Sequence, residues 1–213
     1  MTLQNGRVVT VKQESNGPWK GGATFVVKDE SGHFGPLTLC LRIPPGSKDF
    51  SISSSSPSMS ISRITRSHVF LKFETLRTLT FDVRFSYFPR RLNPHPLTLD
   101  NRQCVAFARG PFIYCAETLD NKSFDDLRGV RIPDETVISE EEMDDSGMDK
   151  LGFGSDARMG LGVAGGSHPI ILSVDAHSVQ NFLPGETRKL KLIPYFMWAN
   201  RGPSSLRVWL ARA

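Results

Sequence analysis

The sequence predicts an all-β fold: two antiparallel β-sandwich domains, one over residues 7–88 and a second over residues 89–213, with little helix. Three observations carry that expectation. Apolar and polar residues alternate at period two through several short runs, clusters of turn residues separate those runs, and helical periodicity is slight. Successive strand side chains point to opposite faces, so each alternating run reads as a strand buried on one side.

Taken in order, residues 7–11 and 23–28 read as the first two strands, separated by the turn signals Asn16-Gly17-Pro18 and Gly21-Gly22. In residues 37–43, Leu37, Leu39, Leu41 and Ile43 share one face, while Thr38, Cys40 and Arg42 share the other. Residues 69–73 follow the same rule. The longest alternation runs from Leu79 through Phe81, Val83 and Phe85 to Tyr87, against Thr80, Asp82, Arg84 and Ser86. The stretch Phe88-Pro89-Arg90-Arg91-Leu92-Asn93 follows, and the domain boundary is placed there. Further strands are expected at 104–108, 112–117, 169–174, 189–193 and 206–210. Residues 51–62, with four consecutive serines from Ser53 to Ser56, read as a loop or hairpin tip. One or two helical turns are expected around residues 140–151. Residues 145–167, acidic and then glycine-rich, read as a long excursion.

Composition sets the outer bounds. At 213 residues, 39% hydrophobic and 23% charged, with a mean hydropathy of −0.23, the chain has globular values and is neither disordered nor collagenous. No run approaches the roughly 20 apolar residues of a membrane helix. The first eleven residues lack a basic cluster followed by an apolar stretch, so no secretory signal is expected, and a cytoplasmic location is. The net charge is +4. Six carboxylates fall in residues 139–149, so removing their six negative charges leaves +10 on the remainder. Those bases are scattered, with no cluster of five, and neither nucleic acid nor a membrane is expected as a partner. Three cysteines at wide spacing (Cys40, Cys104 and Cys115) argue against a disulfide framework. Each sits in an apolar run and reads as a small core residue.

Few patterns carry chemistry. Gly160-Leu161-Gly162-Val163-Ala164-Gly165 matches G-x-G-x-x-G, but no strand precedes it and no helix follows, so the pyrophosphate-binding geometry is missing. His33, His68, His95, His168 and His177 stand apart from one another and form no metal-ligand spacing. No serine sits in G-x-S-x-G. Glu117 and Asp120 are close enough in sequence to act as a carboxylate pair, yet a structural or surface role is the favoured reading. Asn121-Lys122-Ser123 is a glycosylation sequon, expected to go unused without an export signal. Trp19, Tyr195, Trp198 and Trp209 are candidates for stacking on sugars if they share an exposed face, with core packing favoured. No residue is nominated as catalytic, cofactor-binding or metal-binding.

The segment from Val105 through Arg109-Gly110-Pro111 and Tyr114 to Glu117, followed by Asp120-Asn121, resembles a signature of glycoside hydrolase family 127, the β-L-arabinofuranosidase-like family. The resemblance continues in Pro194-Tyr195-Phe196-Met197-Trp198-Ala199-Asn200-Arg201 and Arg207-Val208-Trp209, and upstream in Pro18-Trp19 and residues 39–44. The sequence departs from the family pattern at Pro45-Gly46, through residues 51–62 and around residues 63–66. The resemblance implies an N-terminal (α/α)6 barrel followed by β-sandwiches, of which this chain is similar to the sandwiches alone. It further implies that the family's zinc-bound cysteine nucleophile and glutamate acid/base belong to that barrel. No cofactor is therefore expected in this chain, and zinc only in the absent barrel. The chain alone is expected to be inactive. The implied partner is the barrel, in cis or as a separate subunit. The alternative is a stand-alone module that binds arabinose-containing glycan or docks on a subunit, and self-association through an uncovered apolar surface is a further expectation.

Overall fold

The computed structural model describes residues 2–213 except 4, 16, 33, 34, 55, 57, 76, 151–167, 181 and 182. The chain is all-β, and among the described residues the helices are short and none is long and apolar enough to cross a membrane. It divides into two compact units, Met1–Phe88 and Pro89–Ala213.

In the first unit, β1 (Val9–Ser15), β2 (Gly22–Asp29), β7 (Thr78–Tyr87) and β4 (Ser47–Ser54) form one antiparallel sheet in the order β1-β2-β7-β4. A second sheet runs β3 (Leu37–Arg42), β6 (His68–Phe73), β5 (Met59–Ile64). The period-two alternation explains how they meet. Phe25 and Val27 of β2, Leu79, Phe81 and Val83 of β7, and Val69, Leu71 and Phe73 of β6 are all buried in one shared core. Phe25 and Phe81 stack at 5.1 Å with planes 9° apart, and Phe73 lies 6.2 Å from Phe81. The polar partners on β7, Thr80, Asp82 and Arg84, stay exposed.

A buried ion pair fixes the start of this unit. Arg7 lies just before β1, where the sequence predicts strand, and donates to Asp29 Oδ2 at 2.5 Å. Its other nitrogens reach the carbonyls of Pro36 (2.9 Å) and Gly35 (2.8 Å), tying the entry of β1 to the entry of β3. The Ser31 hydroxyl, donating to Asp29 at 2.6 Å, is the main cause holding that carboxyl down at about 2. Burial opposes this, while Arg7 and the Ser31 amide add to it. Before β2, the short α1 (Gly17–Lys20) leads to Gly21, whose φ of +68° suits glycine. A Cβ there would run into the Phe85 carbonyl.

Residues 51–62 fold as more than a loop. Ser47–Ser54 pairs with β7 and Met59–Ile64 with β6, so the serine-rich segment passes from one sheet to the other. Phe50, Ile52 and Met59 pack against the shared core, while the serines between them have no apolar surface to bury. Tertiary pairing overrides their weak strand preference.

In the second unit, β8 (Pro89–Leu92) follows β7 almost without a break. Then come β9 (Cys104–Arg109), β10 (Phe112–Glu117), β11 (Val130–Ile132), β12 (Ser139–Glu142), α2 (Asp145–Lys150), β13 (Ile170–Gln180), β14 (Leu183–Pro184), β15 (Arg188–Pro194), β16 (Leu206–Arg207) and β17 (Leu210–Arg212). Six of these strands pair in a closed circuit, β9-β10-β15-β13-β11-β17 and back to β9. Every step is antiparallel except β11 with β17, which is parallel. Residues 105–109 of β9 and 114–117 of β10 are buried without alternation, as befits strands covered on both faces.

Two local expectations change here. Of the helix expected over residues 140–151, Glu140–Glu142 belongs to β12, paired with β13, and only Asp145–Lys150 is helical. The strand expected at 206–210 is split, with Val208 and Trp209 between β16 and β17. The Gly160–Gly165 pattern and most of the 145–167 excursion lie outside the described residues.

Candidate functional site

The densest buried polar cluster forms where β10 ends. Glu117 closes that strand with its side chain wholly buried, and the chain turns through Thr118–Asn121, with Asp120 N–H donating to the Glu117 carbonyl at 3.2 Å. Asn121 pins the turn against β15. Its Nδ2 donates to the carbonyls of Glu117 (2.8 Å) and Lys191 (3.0 Å), and its Oδ1 accepts from Lys191 N–H at 2.8 Å. A buried amide used this fully is closed as a glycan acceptor, so the sequon at Asn121 is shut by packing.

The second half arrives from residues 194–207. Pro194 ends β15 and a 3-10 turn, Tyr195–Met197, buries Met197 while Trp198 N–H donates to the Tyr195 carbonyl. Ala199 follows at φ +64°, an uncommon left-handed state for a residue with a Cβ, and the chain reverses toward Arg201. Arg201 grips Asp120 with two parallel bonds, Nη1 to Oδ1 at 2.7 Å and Nη2 to Oδ2 at 2.5 Å, and also donates to Glu117 Oε2. Ser204 Oγ donates to the other Glu117 oxygen. Thr118 N–H to the Ser205 carbonyl (3.0 Å) and the pairing of Glu117 with Leu206 complete the stitch.

The electrostatics are those of a closed clamp. The side chains of Arg201, Glu117 and Asp120 are 7%, 0% and 5% exposed. Burial pulls the guanidinium's affinity for its proton down, but the hydrogen bonds to Asp120 and Glu117 outweigh that and leave it above its ordinary value. Two carboxylates locked on one guanidinium and sealed from solvent cannot flank a sugar, since acid and base must both reach the reacting oxygen. The structural reading of Glu117 and Asp120 is the one the geometry supports.

Cys115 stands two residues before Glu117. Burial, with Glu117 and Asp120 adding repulsion, pushes its thiol up to about 12. It is a core cysteine, as expected, but the same reading fails at Cys40, which is exposed, and holds only partly at Cys104, which is half-buried. The cause is visible in β3, where Cys40 alternates outward with Thr38 and Arg42.

Among the described residues the histidines stay apart. His68 Nδ1 shares a hydrogen bond with Ser67 Oγ at 2.9 Å, and His168 Nε2 lies 3.7 Å from Asp145. His33 lies outside the described residues. Among the described residues, no three His, Cys, Asp or Glu side chains converge to hold a metal ion.

The four aromatics singled out do not share one face. Trp19 is wholly buried in the first unit, and Trp209 is half-buried between two short strands. Tyr195 is 48% exposed and stacks on Trp198 at 6.3 Å. Sequence reasoning missed Phe196, 43% exposed on the same turn, and Phe112, 5.2 Å from it. An apolar pair flanked by a proline-ended strand was the available signal.

Comparison with known proteins places these features. The family model for the glycoside hydrolase family 127 C-terminal domain matches residues 89–211. The non-reducing end beta-L-arabinofuranosidase of Bifidobacterium longum subsp. longum is 26% identical over 223 aligned residues, which cover 96% of this chain and 30% of that protein. Among solved structures, a GH127 beta-L-arabinofuranosidase from Geobacillus stearothermophilus T6 superposes with a TM-score of 0.75 at 24% identity, over 100% of this chain and 32% of that one. A further GH127 beta-arabinofuranosidase gives 0.67 at 20% identity, over 98% of this chain and 32% of its own. The chain thus spans about a third of the length of these relatives.

Proposed function

The chain belongs to glycoside hydrolase family 127, and on that premise we propose that it is the non-catalytic portion of a β-L-arabinofuranosidase-like protein, supporting a catalytic barrel that it does not itself contain. The observation that carries this reading is the Arg201 clamp. The buried acids whose segments resemble the family signature are spent on holding two distant chain segments together. The buried cysteine is protonated, and no metal cluster forms among the described residues. The barrel, in cis or as a separate subunit, is the proposed partner, and any zinc chemistry belongs to it. Residues 7–88 and 89–213 serve as the two accessory domains.

The test is hydrolysis of a β-L-arabinofuranoside by the purified chain, with zinc and reductant supplied. No turnover above buffer is expected. Turnover that follows the protein through successive columns would refute the reading.

A second reading is favoured by Tyr195 and Phe196. Exposed rings on a turn anchored by buried Met197 are suited to stacking on a sugar face or docking on a subunit. Calorimetry with arabinose-containing oligosaccharide separates the readings: saturable heat lost in a Tyr195→Ala, Phe196→Ala variant supports the module, and its absence at millimolar sugar removes glycan binding.

A further inference from the structure

In the first unit, a cleft of about 550 Å³ opens between the turn leading from β3 to β4 and the turn leading from β5 to β6. Arg42 and Arg66 line it, together with the Pro44-Pro45-Gly46 turn and Ser67, and no carboxylate does. Its volume lies in the range of small-molecule sites, ~300–1,000 Å³.

Seven arginines elsewhere in the chain have acidic partners, whereas others, such as the exposed Arg84, form no ion pair among the described residues. Arg7, Arg91, Arg109, Arg128, Arg188, Arg201 and Arg212 each face an Asp or Glu. Arg42 and Arg66 engage none among the described residues, although both abut one cavity. Two like charges held on one concave surface repel, and a bound anion relieves that repulsion while accepting the forked N–H donors of each guanidinium.

The walls are fixed before any ligand arrives. Consecutive prolines restrict the first turn, and Ser47 Oγ donates to the Pro44 carbonyl at 2.8 Å. Ile43 N–H donates to the Ser67 carbonyl at 2.8 Å, joining one turn to the other. Thr65 and His68 close the second turn through backbone and hydroxyl bonds of 2.8 and 3.0 Å. Such preorganisation lowers the ordering penalty of binding. The proline rings give an apolar wall against which a ring-sized body can rest.

We propose that this cleft binds a sugar-sized oxyanion, a carboxylate or phosphate carried on a pyranose- or furanose-scale ring, gripped by Arg42 and Arg66. This is independent of the proposed role of the chain in a glycosidase, since both arginines belong to the first unit and the Arg201 clamp and the Tyr195 turn to the second.

The test is ligand-observed NMR and calorimetry on the full chain with three probes: glucuronate, glucose 6-phosphate and neutral arabinose. Saturable binding of at least one charged probe is expected, weakening with added salt, with no saturation by arabinose. Both charged probes binding identifies the oxyanion as the recognised group; one alone identifies carboxylate or phosphate. The Arg42→Ala, Arg66→Ala variant should lose at least tenfold in affinity. Arg84→Ala, an exposed arginine outside the cleft, should lose less than twofold. Because both cleft arginines are exposed, the double variant should keep its melting temperature. Failure of both charged probes, equal binding of arabinose, or unchanged affinity in the double variant overturns the proposal.

Discussion

Replacing Arg201 by Met is the sharpest probe of the clamp. Methionine keeps the volume of the stem but removes every donor, leaving Glu117 and Asp120 facing each other without a cation in a site they cannot leave. Breaking a buried pair on one side destabilises by about 3–5 kcal/mol, and the near-complete burial of all three side chains places this case inside that range. For a unit the size of residues 89–213, each kcal/mol corresponds to roughly 4 °C, so the melting temperature of that unit should fall by about 10–20 °C. Urea unfolding followed by far-UV circular dichroism gives the free energy directly. Glu117→Gln alone retains the two-bond grip on Asp120 and should cost about 1–3 kcal/mol. The double variant should fall short of the sum by about 1–3 kcal/mol, because the neutral amide no longer needs the guanidinium. A loss below about 1 kcal/mol for Arg201→Met, or strict additivity, would refute the clamp as an energetic unit.

Other outcomes follow from the same geometry. Asp29 is held at about 2, below its ordinary 3.8, so its contribution to stability is full above about pH 4 and vanishes as pH falls through 2. Urea midpoints measured between pH 5 and 2 should therefore drop in the unaltered chain, and Asp29→Asn should flatten that part of the profile. Thiol labelling at pH 8 should modify Cys40 first and Cys104 more slowly, with Cys115 reacting only when the second unit unfolds; rapid labelling of all three would contradict the burial. Gly21→Ala forces a Cβ into a positive-φ site and against the Phe85 carbonyl, and should lower stability by at least about 2 kcal/mol in a denaturant melt. Phe81→Ala, opening the stack with Phe25, should remove about 3–5 kcal/mol, and a loss under 1 would mean the shared core is not where these rings place it.

How far the sequence disclosed this architecture differs element by element. β6 and β7 were legible because one face is buried and one wet, so their side chains sort by polarity at every second position. β12 was not: three consecutive glutamates have no apolar face, and what makes them a strand is β13 alongside and Arg109 reaching Glu140. β1 was half-legible, since beyond Val9 it is exposed and is set by its pairing with β2. At the clamp, Glu117 and Asp120 stand out as neighbouring acids, but their cation lies more than eighty residues away. A contact of that separation leaves no mark in local pattern. Arg201 appeared only as the last residue of a stretch resembling the family's. The outward Cys40 shows the converse, a case where alternation was the better guide than the usual habit of cysteine.

The closed circuit of strands in the second unit separates the two halves of the chain in their exposure to other proteins. Each of its six members has neighbours on both sides, so along the ring few backbone donors and acceptors remain for a foreign strand to template on. In the first unit, β1, β4, β3 and β5 each pair on one side only among the described residues, and β5 also leaves Ile61 and Ile64 exposed. Concentrated or partly unfolded protein should therefore associate through those four open rims, and amide exchange should be slowest around the ring. A charge placed at Ile61 or Ile64 is the change that should keep the chain in solution, without touching the half that carries the family signature.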